Sequence, residues 1–347
     1  MSVSSEPSFA RSPLPNKIAV LGAGAWGSAL AIHLAKAGHQ VTLWSHGVEQ
    51  AEKLEQAREN SRYLPNIAFP DNLSVTASLT AALGSVESVL VVVPSGAFRS
   101  VLGQLSELVD TQKVHIAWAT KGFEPETQSL LHQVAQQVLG KEAGLTVLSG
   151  PTFADEVAKG SPTAMVSASP NLAEAQYWAD VFHFGAFRIY TQADMVGVEV
   201  GGAYKNIMAI ATGLSDGLGL GANARAALVS RGMVEMMRLG QALGGQPETL
   251  MGLAGLGDLV LTCTDDLSRN RRFGKRLAQS NQTAEAVMDE IGQVVEGVKA
   301  VIAVKQIAQR LALDLPIMEQ VYLIVSEKTT PKEAVMALLA RSGKSEG

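Results

Sequence analysis

From Lys17 onward, short continuous apolar runs alternate with longer amphipathic stretches. The runs Ile18–Leu21, Val41–Trp44, Val89–Val93, Val114–Ala119 and Thr146–Leu148 are continuous and rich in β-branched residues, which predicts strands buried on both faces. Between them apolar positions recur at helical spacing, as in Ala29–Ala37 and Gln128–Leu139. Strand and helix taking turns predict an α/β unit, a doubly wound parallel sheet with helices on both faces. After about Asp194 the rhythm changes to long helical patterns, Val196–Leu214, Ala222–Leu243, Val298–Leu311 and Lys332–Ala340, with few convincing strands. An all-helical C-terminal domain is therefore expected, with Asp194 as the N-cap of its first helix. Glycine-rich breaks at Gly213–Gly221 and Gly252–Gly257 are expected to let backbone approach a ligand.

The run Gly22-Ala23-Gly24-Ala25-Trp26-Gly27 follows the first strand and precedes a helix expected to start near Ser28. In that setting G-x-G-x-x-G is a dinucleotide fingerprint: Gly22 permits the tight turn, Gly24 lets backbone reach the pyrophosphate, and Gly27 allows close helix packing. The diphosphate would rest on the helix N-terminus beside Ala25, while Trp26 either packs on the cofactor or fills the core. The fold class is thus a Rossmann-like doubly wound sheet over residues 16–193, followed by a helical substrate domain over 194–341. At the end of the second strand, where an NAD site places an acid, the chain reads Trp44-Ser45-His46-Gly47 and the first acid is Glu49. With Ser45 and His46 able to bond a 2′-phosphate, NADPH is expected to be accepted and preferred over NADH.

Composition narrows the classes. The 347 residues are 47% hydrophobic and 18% charged with a net charge of −5, a globular balance with no general drive toward nucleic acid or anionic membrane. An anionic ligand would then need a local cluster of cations. Cys263 is the sole cysteine, which excludes an intramolecular disulfide; its apolar setting points to a buried thiol. Residues 1–15 are Ser- and Pro-rich without an apolar core, which predicts a disordered tail rather than a signal peptide, with a second tail at 342–347. No apolar run approaches the length of a membrane span, and no metal-ligand spacing is seen. A soluble cytoplasmic protein with no membrane or nucleic-acid partner is expected; its helical domain is of the kind that commonly supplies a homodimer interface.

Ketone reduction needs a hydride donor, a proton for the developing alkoxide, and a grip on the remaining substrate. Lys205 is the proton candidate, in a helical stretch with Gly201 one turn earlier on the same face, leaving space for a ligand. Lys121 follows a strand at the carboxyl edge, where such sheets bind ligands. Asp258 either orients Lys205 by a charge-assisted bond or caps a helix; if it starts a helix, Thr262 falls one turn later on the same face. Ser268-Arg269-Asn270 offers a guanidinium fork and further donors suited to phosphate. Arg271 and Arg272, which follow it, leave a solvated basic run as the alternative.

Seven segments in order, Gly22–Gly27, Val93-Pro94-Ser95 with Arg99, Ala119–Glu124, Ser149–Ala154, Glu199–Asn206, Gly255–Leu259 and Ser268–Gly274, resemble the motif series of NAD(P)-dependent glycerol-3-phosphate dehydrogenase, particularly its bacterial form. The resemblance spans about Lys17 to Leu339. It implies that Lys205 exchanges the proton with the carbonyl oxygen of dihydroxyacetone phosphate, giving sn-glycerol 3-phosphate for glycerophospholipid synthesis. It implies further that Lys121 contacts substrate and nicotinamide, and that Gly150 and Thr152 line the substrate pocket. Ala154 would meet the cofactor, Arg269 would touch both ligands, and the segment with Val294 and Glu296 would close over the cofactor. Thr152 stands where Ser is often found, a swap that keeps the hydroxyl. Two rival readings are a dehydrogenase of the same architecture acting on a β-hydroxy acid, which would grip a carboxylate, and a nucleotide sensor without chemistry. The sensor would have no reason to keep Lys121, Lys205 and Asp258 together.

Overall fold

The computed structural model describes residues 16–280 and 282–340; both expected tails lie outside them. Eight strands form one sheet: β1 (Lys17–Leu21), β2 (Gln40–Trp44), β3 (Leu73–Thr76), β4 (Ser88–Val91), β5 (His115–Trp118), β6 (Leu145–Ser149), β7 (Thr163–Ala168) and β8 (Phe187–Gln192). Their order is β8-β7-β6-β5-β4-β1-β2-β3. Alternate side chains of β1 feed different apolar layers: Ile18 and Val20 pack with the helix Ala25–Lys36 on one face. Ala19 and Leu21 pack with Phe98, Leu102 and Val134 on the other, which is why the run is continuously apolar.

The expected sheet was parallel throughout, and β6 pairs antiparallel with β7 instead. Between these strands the only helix is the six-residue Ala154–Lys159; it returns the chain at the same end, whereas a parallel crossover must travel the sheet's length. Strands β7 and β8 pair parallel with each other. A separate antiparallel hairpin, Glu59–Asn60 with Leu64–Ala68, stands outside the sheet.

Strand order reverses between the parallel neighbours β1 and β4: β2 and β3 build outward on one side, and β4 opens the other. This switch point opens a crevice at the strands' carboxyl ends, where doubly wound sheets bind ligands. The glycine run leaves β1 there, and Ser95 follows β4.

Beyond β8 the described chain is helical. Asp194 caps the helix Met195–Gly217, its carboxylate accepting from Gly197 N at 2.9 Å. That helix is buried almost end to end, as an all-round apolar helix must be. Gly213, expected to mark a break open to a ligand, lies inside it. A Cβ there would collide with the Arg271 carbonyl, and one at Gly274 with that of Ile210. These glycines let the helices Met195–Gly217 and Arg269–Gln279 touch backbone to backbone, so the space is filled by protein. Gly252–Gly257 leads through the π-turn Leu253–Gly257 into the helix Asp258–Thr264. Among the described residues no helix is long and apolar enough to cross a membrane.

Candidate active site

Gly22 turns the chain out of β1 at φ +123°, and a Cβ on it would collide with the Val92 carbonyl. A Cβ at Gly27 would run into the Gly22 carbonyl, whereas one at Gly24 would meet nothing within 4 Å. The helix begins at Ala25 rather than near Ser28: Gly24 is extended and is its N-cap, with no side-chain cap and no acid in the first turn. Free N–H groups and the positive helix end therefore face the open side of Gly24, a cradle that fits a diphosphate. Trp26 is half-buried against the apolar layer below, with Ala154 also packed on that layer.

At the end of β2, Ser45 does not face outward as expected. It is buried, and its hydroxyl donates to Gln50 Oε1 at 3.1 Å. His46 is exposed, and Glu49 is tied to Lys53 at 2.6 Å. His46 is thus the side chain presented where a 2′-substituent would arrive.

The chemical centre joins the two halves of the chain. Asp258 is fully buried at the start of its helix, and its carboxylate is not spent on capping. One oxygen accepts from Lys205 Nζ and from Thr262 Oγ1 at 3.3 Å; the other accepts from Lys121 Nζ at 2.7 Å. Lys121 and Thr152 both donate to the Gly150 carbonyl, each at 3.3 Å, so the ends of β5 and β6 are tied into the same cluster. Burial pushes the Lys205 ammonium down to about 7, the Asp258 carboxylate opposing the shift and Lys121 reinforcing it. An amine of that pKa can give or take a proton near neutrality.

Gly201 does not leave ligand space beside Lys205. A Cβ there would collide with the Ala254 carbonyl, so its absence serves packing against the π-turn. The glycine that borders the cluster is Gly202, where a Cβ would lie 3.0 Å from Ser149 Oγ and 3.5 Å from the Lys121 stem.

In Ser268-Arg269-Asn270 the three side chains differ. Ser268 caps its helix, accepting from Arg271 N at 3.3 Å. Asn270 braces the helical part: it donates to Asn206 Oδ1 at 2.9 Å and accepts from Gly297 N at 2.9 Å, leaving one amide hydrogen for a ligand. Arg269 makes one long bond, 3.3 Å to Gln293, and burial is the chief cause that lowers its pKa, with Glu296 opposing. The expected alternative of a solvated basic run is half met. Arg272 is exposed, but Arg271 is buried and bonded to the Cys263 carbonyl at 3.1 Å, Asp216 and Asp266.

Across the crevice Glu296 accepts from Ser95 Oγ at 3.3 Å, and burial raises its carboxyl pKa against the pull of Lys299. Val294 is exposed beside it. Asn206, one residue after Lys205, joins the site through its bond from Asn270, a placement that only its adjacency to Lys205 signals in the sequence. Among the described residues no cluster of His, Cys, Asp or Glu could hold a metal. Cys263 is buried and its thiol pushed up to about 12 by burial, consistent with an inert core residue.

The chain matches two family models, the N-terminus of NAD-dependent glycerol-3-phosphate dehydrogenase over residues 17–175 and its C-terminus over residues 194–336. It is similar to the glycerol-3-phosphate dehydrogenase (NAD(P)+) of Hydrogenovibrio crunogenus, 66% identical over 334 residues, covering 96% of this chain and 97% of that one. The Pseudoalteromonas translucida protein of the same name is 52% identical, covering 95% and 98%. The crystal structure of glycerol-3-phosphate dehydrogenase from Coxiella burnetii superposes with a TM-score of 0.91 at 46% identity, covering 95% of this chain and all of that one.

Proposed function

As the chain belongs to the NAD-dependent glycerol-3-phosphate dehydrogenase family, we propose that it interconverts dihydroxyacetone phosphate and sn-glycerol 3-phosphate through Lys205, with NADPH as its preferred cofactor. The single observation that carries this reading is the buried Lys205–Asp258–Lys121 cluster at the carboxyl ends of the strands. Bound nicotinamide supplies the hydride. Lys205, its pKa near 7, gives the ammonium proton to the substrate oxygen in reduction and takes it back in oxidation. Asp258 aims that ammonium and, by its charge, keeps enough of it protonated. Lys121 adds a second cation beside the oxygen where negative charge develops.

Arg269 supplies the charge for the phosphate end, with Ser268 and Asn270 at its side; Gly150, Thr152 and Thr262 border the substrate. The glycine loop Gly22–Gly27 takes the diphosphate, Ala25, Trp26 and Ala154 border the dinucleotide, and His46 meets the 2′-phosphate. Val294 and Glu296 cover the nicotinamide end. Residues 16–193 act as the cofactor domain and 194–341 as the substrate domain, working in the cytoplasm as a source of glycerophospholipid precursor. A homodimer through the helical domain suits this reading. The test is oxidation of NADPH by purified protein with dihydroxyacetone phosphate beside a panel of β-keto acids. Turnover confined to dihydroxyacetone phosphate supports the reading; turnover confined to a β-keto acid overturns it.

A further inference from the structure

One backbone carbonyl of the glycine loop is held by side chains from two other elements. Ala23 O accepts from Asn60 Nδ2 at 3.1 Å and from Gln50 Nε2 at 3.3 Å. Asn60 sits in the hairpin outside the main sheet and is 1% exposed. Its amide nitrogen also donates to Ser28 Oγ at 2.8 Å, and its oxygen accepts from Tyr63 N at 3.3 Å. Every hydrogen-bonding capacity of that amide nitrogen is used, as burial of an amide demands. Gln50, half-buried on the helix Val48–Ala57, spends its other end accepting from Ser45.

The consequence follows from peptide geometry. In a planar trans peptide the C=O and the following N–H point in opposite directions. Holding Ala23 O toward Asn60 and Gln50 therefore turns Gly24 N–H away from them, at the residue bordered by open space. If that peptide flipped, a carbonyl would take the place of an N–H in the cradle and repel an anion.

We propose that Asn60, assisted by Gln50, is a positioning residue for the cofactor's diphosphate: it fixes the Ala23–Gly24 peptide so that the loop presents donors to the anion. This rests on the reading that the glycine loop receives the diphosphate. Burial alone would suit an apolar side chain at Asn60; the held carbonyl, Ser28 and the Tyr63 N–H are what call for an amide.

The test measures the Kd of ADP-ribose, which carries the diphosphate without the reacting ring, together with steady-state constants. Asn60→Asp puts an acceptor where the donor was at nearly the same shape. It is expected to weaken ADP-ribose about tenfold, the scale of one buried hydrogen bond lost. The KM for NADPH should rise with it while the KM for dihydroxyacetone phosphate stays put, a split that general loosening of the fold would not give. Should that variant not fold, Gln50→Leu at its half-buried position carries the same test, with a loss of about threefold. Gly24→Val tests the underlying reading. Wild-type ADP-ribose affinity in the Asn60 and Gln50 variants, with binding lost in Gly24→Val, would overturn the inference alone; undiminished binding in Gly24→Val would overturn both.

Discussion

Lys205 and Asp258, 53 positions apart in the chain, form a buried ion pair in which the ammonium carries a pKa near 7. The helix Met195–Gly217 brings the lysine and the helix Asp258–Thr264 the aspartate. Lys121, from the end of β5, occupies the second carboxylate oxygen at 2.7 Å. The pair therefore exists where the sheet meets the helical part.

Replacing Lys205 by Ala removes the proposed proton donor yet leaves Asp258 partnered by Lys121, so the fold should survive. The expected loss in kcat is about 10²- to 10⁴-fold, with the Kd for NADPH unchanged. Steady-state kinetics beside a cofactor titration check this; a parallel loss of cofactor binding would point to collapse instead of lost chemistry.

Asp258→Asn acts with a different sign. The carboxylate is the main influence raising the Lys205 pKa against burial. Without it the Lys205 pKa falls further, the neutral amine predominates at neutral pH, and the pH above which reduction declines moves lower. Removing the one carboxylate that both lysines share also costs about 3–5 kcal/mol, readable by urea unfolding. An unmoved pH profile would contradict this account of Asp258.

These residues were legible in sequence because each sits in a compact local motif. The strands read most clearly where both faces are buried, as in β1 and β4. Strand β8 escaped because Arg188 and Tyr190 break its apolar run at the sheet's edge, and the hairpin escaped because Pro65 and Asn66 carry no strand pattern. Gly201 and Gly213 face neighbouring backbone instead of the ligand space their sequence settings suggest: a glycine facing a packed neighbour and one facing a cavity look alike until the neighbour is placed. Asn60 and Gln50 lie outside every motif and meet the glycine loop only through the fold.

In the proposed function cofactor choice rests on His46, which is exposed at the end of β2 with Glu49 drawn away to Lys53. His46→Asp should place a carboxylate against the 2′-phosphate and bond the ribose hydroxyl instead. The ratio of kcat/KM for NADPH to that for NADH should fall about tenfold or more. An unchanged ratio would move the determinant elsewhere.

Asp194 makes two bonds at the junction, to Gly197 N at 2.9 Å and to Gln246 N at 2.8 Å. Asp194→Ala should cost about 0.5–2 kcal/mol, the range for an N-cap, seen as a lower urea midpoint. Wild-type stability would show that the cap is dispensable.

The central claim is tested most directly by the pH dependence of kcat/KM in both directions. Reduction needs protonated Lys205, so its rate should be level below about 7 and fall above it; oxidation needs the neutral amine, so its rate should rise through about 7 and then level off. Opposed profiles crossing near that value, both lost in Lys205→Ala, are the predicted result. Profiles that run in the same sense, or that persist in Lys205→Ala, would contradict the assignment of Lys205 as the proton donor and acceptor.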